Sequence, residues 1–377
     1  METQKNIVCG ADVHKKFIKA TILSRDGTKL VERFGMNLDE LLRFKNWILD
    51  NKCEAVAFES TGVYWVPIYT VLEGNIEVIL ANAYKIKHTP GKKTDGRDSA
   101  WVAELCLNGM IEPSRIFPKD DRELRNITRS RENLVNNRTQ MKNRIHKELE
   151  SACIKISSVL SDIFGKSGMQ ILNALLEGKN IDEIMKEISS KRILKKEQEL
   201  RNAIQTSLDP ARCILIRTYL EIIDKIEENI NILDREIKIR MLRLKEDLEI
   251  ALSINGMGFT SASTILAEIG NYRDFQTAEQ LASWCGLTPK VSQSADVLVT
   301  GSITKQGSKH IRRMLVQVAH IIARSGNSKL KKFFMRIQVK KGTKKAIVAL
   351  ARKLVCILYH LLENREKYLD VDASKTR

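Results

Sequence analysis

The sequence has no apolar run of about 18 residues, which is the length that a membrane-spanning helix requires. Its first residues also lack the apolar segment of a signal peptide. Cysteine is sparse, with 7 in 377 residues, widely spaced and without a Cys-x-x-Cys pair. Such an odd, scattered set argues against both a disulfide framework and a zinc site. We therefore expect a cytoplasmic protein with reduced thiols and no membrane partner.

Acidic residues are also in short supply. The chain carries 63 lysines and arginines against 46 aspartates and glutamates, which gives a formal charge of +17. Between Lys290 and Lys353 the only acidic residue is Asp296, although apolar residues keep a helical spacing there. Charges that serve solubility alone would mix both signs. The imbalance instead predicts a folded surface for a polyanion, and nucleic acid is a better candidate than a membrane.

What is present divides the chain into three regions. Residues 1–118 alternate buried-type strands with helical patterns, residues 119–248 are helical and highly charged, and residues 249–377 are mostly helical. Three strands joined by hairpins, followed by alternating helices and strands, predict a ribonuclease H-like domain. The fold class is therefore α/β in the first region and α in the rest.

The middle region contains two apolar stripes with steps of three, four and seven residues, which are typical of a coiled-coil-like helix. A more broken helical insert at about 157–206 separates the two stripes. We expect a helical spacer or an oligomerisation arm. The basic residues beside the first stripe either contact phosphates or form a solvated charged face, and they are Arg125, Arg129, Arg138, Lys142 and Lys147.

Four acidic side chains stand where strands end or a helix begins. Asp12 lies near the end of the first predicted strand, and Glu59 directly follows a central one. Asp95 and Asp98 are three residues apart where a basic loop enters a helix, a step that places both on one helix face. In a ribonuclease H-like domain these segments converge, so the four carboxylates could hold two Mg²⁺ ions for phosphoryl transfer. Alternatively, Asp95 caps the helix and Asp98 complements its dipole.

Further residues are candidates for contacts with a phosphate backbone. Lys92, Lys93 and Arg97 surround the paired acids. In the last region a glycine-rich stretch resembles a helix-hairpin-helix turn, in which Gly256 and Gly258 would offer backbone amides to a phosphate. A tight connection between two helices would use the same glycines for structural reasons alone. A second basic segment forms a loop and a helix start, with Lys305, Lys309, Arg312 and Arg313.

Three short motifs resemble the DEDD insertion-sequence transposases, whose catalytic domain is related to the RuvC junction resolvases. They are G-A-D-V-H-K near the start, F-E-S-T-G-V-Y-W at 58–65 and K-T-D-G-R-D-S-A at 93–100. The order G-x-G, G-L-T-P, K-x-G and R-R-x-L in the last region is similar to the C-terminal domain of the same family. The sequence departs from the family pattern at Ala11, at Asn82 and Ala83, and at Ala295.

The resemblance implies a composite active site. The four acids of the family fall on the four acidic residues above, and its nucleophilic serine falls on Ser294, with Ser292 and Ser302 nearby. It implies a recombinase of a prokaryotic insertion sequence, associated with the nucleoid and acting as a homo-oligomer, a dimer or a tetramer. A noncoding guide RNA would pair with donor and target DNA, and strand exchange would pass through a serine–DNA phosphodiester.

Two other functions stay open at this stage. One is a metal-dependent junction nuclease that forms no covalent intermediate with DNA. The other is a nucleic-acid-binding scaffold in which the four acids are structural. Both keep the predicted partner, a nucleic acid, and differ from the recombinase in their chemistry.

Overall fold

The computed structural model describes residues 5–60, 62–82, 98–188, 190–294, 297–326 and 328–370, with the backbone alone at 291–294 and 297–300. The chain divides into two compact units, Met1–Phe117 and Pro118–Arg377. The first unit is mixed α/β and the second is mostly helical, which confirms the predicted class. The predicted middle and C-terminal regions thus lie in the same unit. None of the helices in the described ranges is long and apolar enough to cross a membrane.

The first unit combines strands and helices in alternation: β1 (Ile7–Val13), β2 (Phe17–Ser24), β3 (Lys29–Gly35), α1 (Leu38–Asp50), β4 (Ala55–Glu59), α2 (Trp65–Leu72), β5 (Glu77–Ala81) and α3 (Asp98–Leu107). The strands form a sheet in the order β3-β2-β1-β4-β5. β1 and β3 both pair antiparallel with β2, as two hairpins require. β1 and β5 both pair parallel with β4, with helices in the connections.

The two faces of this sheet differ in the size of their side chains. On one face Phe34 of β3 and Phe58 of β4 pack against α1 and α2, and Phe44 of α1 lies in the same cluster; all three are buried. The other face is lined by small residues, among them Ala55 and Ala57, and α3 packs on it. Because successive strand residues point to opposite faces, the alternation along β1 and β4 decides which side chains meet α3.

The second unit is built mainly from helices. Its elements are α4 (Lys119–Ser151), α5 (Ile156–Val159), α6 (Lys166–Leu176), α7 (Ile181–Glu187), α8 (Lys191–Leu194), α9 (Glu197–Ala203), α10 (Pro210–Met241), α11 (Lys245–Leu252), α12 (Phe259–Ile269), α13 (Ala278–Trp284), β6 (Pro289–Ser294), β7 (Val297–Ile303), α14 (Lys309–Arg324), α15 (Lys329–Lys341) and α16 (Thr343–Asn364). Short helices α5 to α9 make up the insert, and β6 and β7 form an antiparallel hairpin.

The long helices α4 and α10 pair with each other inside the chain. α10 buries an isoleucine at every seventh position, namely Ile216, Ile223, Ile230 and Ile237, so this stripe forms the seam. Salt bridges join Arg131 to Asp234 at 2.5 Å and Arg138 to Glu227 at 3.3 Å. Residue numbers rise along one helix while they fall along the other, so the pair is an antiparallel hairpin.

A fully buried carboxylate connects α4 to α12. Arg129 donates from Nε to Glu268 Oε1 at 2.6 Å and from Nη2 to Oε2 at 2.9 Å, and Arg125 Nη2 donates to Oε2 at 3.2 Å. Burial by itself would raise the pKa of Glu268, but the Arg129 hydrogen bond and the two guanidinium charges outweigh it, so the pKa is lowered. Arg125 and Arg129, expected on a phosphate-contacting or solvated face, therefore bind an acid within the fold.

Replacing Glu268 by glutamine should destabilise the second unit by about 3–5 kcal/mol, because two arginines then lose the charge that compensates them. Chemical denaturation of the full chain, followed by helical circular dichroism, measures this difference. Glu221→Gln is the matched control, since Glu221 is an exposed glutamate on α10, and its change should stay within about 0.5 kcal/mol. Equal effects of the two substitutions would contradict the role assigned to Glu268.

The pH dependence of stability in the wild type and in Glu268→Gln gives a second test. A lowered pKa in the folded state stabilises the protein above the ordinary glutamate value of about 4.3, and this contribution disappears as the pH falls through the lowered value. The stability gap between the wild type and Glu268→Gln should therefore be constant near neutral pH and shrink in acid. A gap that widens in acid would contradict the ion-paired state of Glu268.

Candidate active site

Asp12 and Glu59 end up side by side on neighbouring parallel strands. The last paired residues of β1 and β4 are Ala11 and Phe58, so Asp12 and Glu59 each follow by one position. Side chains that occupy matching positions on paired strands lie on the same face of the sheet. Both acids are half-buried. The register thus places Asp12 and Glu59 at neighbouring positions at the carboxyl ends of two central strands, and the meeting of their carboxylates around a metal stays a prediction.

Helix α3 lies against the same face, because Gly10 lets it approach. A Cβ on Gly10 would lie 2.2 Å from the backbone nitrogen of Ala103 and 2.3 Å from the carbonyl oxygen of Ser99. Ser99 is buried and its hydroxyl lies 2.8 Å from that of Thr21, the β2 residue paired with Gly10. Gly10 and Asp12 are two residues apart in β1 and therefore share this face.

The direction of α3 carries its first residue toward the two strand-end acids. Arg25, at the far end of β2, donates from Nη2 to the carbonyl of Leu107 at 3.2 Å, so the C-terminus of α3 lies near the start of β1. The helix consequently runs antiparallel to β1. Asp98 is the first residue of α3. It therefore lies toward the end of β1 that contains Asp12, beyond the contact of α3 with Gly10. Asp12, Glu59 and Asp98 thus belong to one face and one end of the sheet.

The fourth predicted acid, Asp95, lies outside the described residues, as do Lys92, Lys93 and Arg97. Within the described ranges, no group of three or more His, Cys, Asp or Glu side chains is close enough together to hold a metal ion. The donor set itself consists of carboxylate oxygens, which fits Mg²⁺ better than a softer metal.

His14 is a neighbour of Asp12 that was not among the predicted site residues. Its Nε2 lies 2.9 Å from Oδ2 of Asp12, and the ring stacks at 4.5 Å on Phe17. The motif G-A-D-V-H-K contains it two residues after Asp12, and this spacing was the available signal. The contact orients one oxygen of the Asp12 carboxylate.

Ser294 lies at the tip of the β6–β7 hairpin. Its backbone pairs with Val297, and Ser292, further down the same strand, pairs with Val299. Ser302 stands near the base of the hairpin on β7 and is exposed. Of the three serines considered in the sequence, Ser294 is therefore the one nearest the turn. It belongs to the second unit, whereas the acids belong to the first.

Two motif glycines fasten the base of this hairpin. A Cβ on Gly286 would lie 2.2 Å from the carbonyl oxygen of Gln306, and one on Gly307 would lie 1.9 Å from that of Trp284. Both glycines have positive φ, at +69° and +104°. The guanidinium of Arg312 donates from Nη1 to the carbonyls of Cys285 and Gly307, each at 3.0 Å. These contacts give G-L-T-P, K-x-G and R-R-x-L a common structural role.

The remaining predicted nucleic-acid contacts separate into exposed and engaged groups. Lys305 and Lys309 are exposed, at the loop after β7 and at the first turn of α14. Arg313 instead donates to Glu132 Oε1 at 2.7 Å and to Asn136 Oδ1 at 3.0 Å on α4. Burial lowers the pKa of Arg312. The two arginines are thus occupied within the unit, while the two lysines face solvent.

The glycine-rich stretch connects α11 to α12. Gly256 has φ +85°, and a Cβ there would lie 3.1 Å from Cγ1 of Ile322 and 3.2 Å from Cγ2 of Ile321, so the turn packs against α14. Gly258 caps α12 without a side-chain acceptor and is exposed. The amides at the start of α12 are therefore open to an anion, as a helix-hairpin-helix turn requires.

Two family models match this chain, one in its N-terminal part and one in its C-terminal part. Residues 9–154 match a transposase family model of the DEDD IS110 type, and residues 248–335 match the model of the transposase IS116/IS110/IS902 family. A transposase for insertion sequence element IS1111A from Coxiella burnetii is 29% identical over 153 residues, which are 40% of this chain and 42% of that protein. The chain thus spans less than half of that relative.

Two further relatives extend the comparison. A probable family 20 transposase from Pseudomonas aeruginosa is 24% identical over 321 residues, 83% of this chain and 85% of that protein. A pilin gene-inverting protein from Moraxella bovis is 33% identical over 118 residues, 31% of this chain and 37% of that protein. The first of these matches runs through the helical middle as well as both ends.

Gly10→Ala should push α3 off the sheet, because the added Cβ would lie on backbone atoms that have no room to move. Overpacking of this kind costs about 1–3 kcal/mol, and it should also impair any activity that needs Asp98 in place. Thermal denaturation with an activity assay measures both effects. Gly326→Ala is the control, since nothing lies within 4 Å of a Cβ there. Unchanged stability in Gly10→Ala would contradict the close approach of α3.

Proposed function

We propose that this chain, which belongs to the DEDD transposase family of the IS110 type, cuts and rejoins DNA during the movement of an insertion sequence. The observation that carries the proposal is the placement of Asp12 and Glu59 at adjacent strand ends, with the start of α3 on the same face. Enzymes that transfer phosphoryl groups use carboxylates in such a cluster to neutralise phosphate charge. The match of both ends of the chain to transposase models supports this chemistry.

The acids of the first unit would hold Mg²⁺. Asp12, Glu59, Asp95 and Asp98 are the ligands we assign, and the bound ion would supply positive charge against the phosphate under attack. His14 keeps one oxygen of Asp12 oriented through their 2.9 Å contact. The half-buried setting of Asp12 and Glu59 limits the number of waters that compete for the same oxygens.

Ser294 would provide the nucleophile from the hairpin of the second unit. Its hydroxyl oxygen forms a bond to phosphorus while one bond between phosphorus and a DNA oxygen breaks. The serine proton leaves to a base, and the released strand end takes up a proton as a hydroxyl. Attack by a hydroxyl of another strand on the same phosphorus then restores the serine and completes the exchange. A short hairpin with a fastened base suits this role because it presents its tip while its anchor stays fixed.

A guide RNA and the two DNA partners would be held by the basic surfaces. We assign phosphate contacts to exposed Lys305 and Lys309, to the open amides at Gly258, and to Lys92, Lys93 and Arg97. Catalysis would take place in a homo-oligomer, as the resemblance to the transposase family implies, in which the acids of a first unit and the Ser294 of a second unit meet. Arg312 and Arg313 act in this proposal by supporting the hairpin and α14 from within.

A second candidate function is a metal-dependent nuclease without a covalent intermediate. The observation in its favour is that Asp12, Glu59 and Asp98 all belong to the first unit, so hydrolysis by an activated water needs no residue of the second. The two functions differ in the fate of Ser294, which only the recombinase requires.

Asp12→Asn should reduce DNA strand cleavage by at least about 10³-fold, since it removes one ligand charge and keeps the shape of the side chain. Cleavage of end-labelled element DNA in Mg²⁺, with RNA binding measured in parallel, tests this. RNA binding should remain near the wild-type level, and chelation of divalent ions should abolish wild-type cleavage. Asp39→Asn changes an exposed aspartate of α1 and serves as the control. Cleavage within tenfold of wild type in Asp12→Asn would contradict the role of Asp12 as a metal ligand, whereas a wild-type protein that binds nucleic acid and cleaves none would favour the scaffold hypothesis.

Ser294→Ala should abolish the covalent adduct between protein and DNA that wild-type protein forms on a nicked substrate. Denaturing electrophoresis of labelled DNA detects the adduct, and mass spectrometry of the linked peptide identifies the residue. Ser302→Ala, which changes an exposed serine of the same hairpin, should form the adduct normally. Cleavage that persists in Ser294→Ala without any adduct would point to the metal-dependent nuclease.

A further inference from the structure

A polar cavity lies in the insert between α4 and α10, far along the chain from both the acids and Ser294. Its volume is about 580 Å³. Two segments form its walls, the stretch from the α5 helix to the first turn of α6, and the stretch that contains α8. The cavity is large enough for a small ligand such as a nucleotide.

The first wall depends on a glycine that allows two backbone segments to meet. A Cβ on Gly168 would lie 2.4 Å from the carbonyl oxygen of Ile163 and 2.6 Å from its carbonyl carbon. The loop before α6 is therefore folded tightly against the first turn of that helix. Ile163 and Gly168 are both buried, so this part of the cavity rests on the core of the insert.

The charged groups around the cavity are mostly positive. Lys166, Arg192 and Lys196 line it, against one acid, Asp162. Within the described ranges, Lys166 and Arg192 have no carboxylate in salt-bridge contact, and both are exposed. Three cations that converge from two segments create a field that favours an anion.

The other two charges are partly committed to the walls. Lys196 donates from Nζ to the carbonyl of Val159 at 2.9 Å and lies 3.9 Å from Glu199. Oδ1 of Asp162 accepts from the backbone nitrogen of Phe164 at 2.9 Å. Lys196 thereby joins the two walls, and Asp162 holds the loop before α6.

The rest of the lining offers hydrogen-bond donors. Five serines line the cavity, namely Ser157, Ser158, Ser161, Ser167 and Ser190. The hydroxyls of Ser157 and Ser158 donate to Glu150 Oε1 at 3.3 Å and to the carbonyl of Lys155 at 2.7 Å, so Ser161, Ser167 and Ser190 are the donors that we assign to a ligand. Gly165 caps the N-terminus of α6 and offers no side-chain acceptor to its first amides. Hydroxyls together with lysine and arginine match the several oxygens of a phosphate group better than the two of a carboxylate.

We propose that this cavity binds a phosphate group, carried either by a nucleic-acid strand or by a free nucleotide. Lys166 and Arg192 are the principal contacts, and Lys196 fixes the distance between the walls. Ser161, Ser167 and Ser190 complete the hydrogen bonds. The proposal is independent of the acids and of Ser294. If the proposed function holds, a strand phosphate bound here would let the insert bind the backbone of the guide RNA or of DNA.

The test compares full-length protein with the double variant Lys166→Gln, Arg192→Gln. Isothermal titration measures binding of inorganic phosphate, of adenosine monophosphate and of a short single-stranded RNA. The double variant should bind at least one of these ligands about tenfold more weakly or worse, since it removes two charge-assisted contacts to the phosphate. Loss for phosphate and nucleotide identifies a free ligand, and loss for RNA alone identifies a strand.

Controls separate a local site from the general basic charge of the chain. Lys186→Gln, Lys195→Gln removes two exposed lysines of the same insert that lie outside the cavity, and its affinities should equal those of the wild type. Lys166→Arg should retain binding because it retains the charge. Equal weakening in both double variants, or no weakening in either, overturns the proposal. Because Asp12→Asn should still bind normally, failure of the proposed recombinase chemistry would be seen separately.

Discussion

The second unit depends on the ion pairs that the buried carboxylate of Glu268 forms with Arg125 and Arg129. An acid with no exposed surface is tolerable only if its charge is neutralised where it sits, and Arg125 and Arg129 do this from α4. Both arginines lie near the start of α4, which has 33 residues. Their contacts with Glu268 therefore determine which end of this helix packs on α12. They fix the first turns of the long α4–α10 hairpin to the C-terminal helices.

A second set of charges strengthens the same junction. Glu132 on α4 contacts His310 Nδ1 at 2.8 Å and Arg313 Nη1 at 2.7 Å at the start of α14. α14 in turn carries Arg312, whose guanidinium ties down the base of the β6–β7 hairpin. A chain of polar contacts therefore runs from α4 through α14 to the strand that ends at Ser294. The position of Ser294, the proposed nucleophile, therefore depends on contacts that extend from α4 to the base of the hairpin.

Close backbone approaches play the corresponding part in the first unit. Gly10 allows α3 to lie on β1, and that approach decides where Asp98 begins its helix. The sequence motifs shared with transposases therefore mix two kinds of residue. Asp12 and Glu59 carry the proposed chemistry, whereas Gly10, Gly286 and Gly307 make room for the backbone that positions it.

The sequence by itself determined the strands of the first unit, the helical character of the second and the seam of α10, because these follow from periodicities of two and seven residues. It also marked Asp12 and Glu59, since a strand end is a local feature. Only the tertiary structure decided the partners of the charged residues. Arg125, Arg129 and Arg313 carry the same local pattern as lysines that face solvent, and the carboxylates that bind them lie more than 130 residues away in sequence. The sequence shows the sign of each charged side chain, but the packing of distant segments decides which group that side chain contacts.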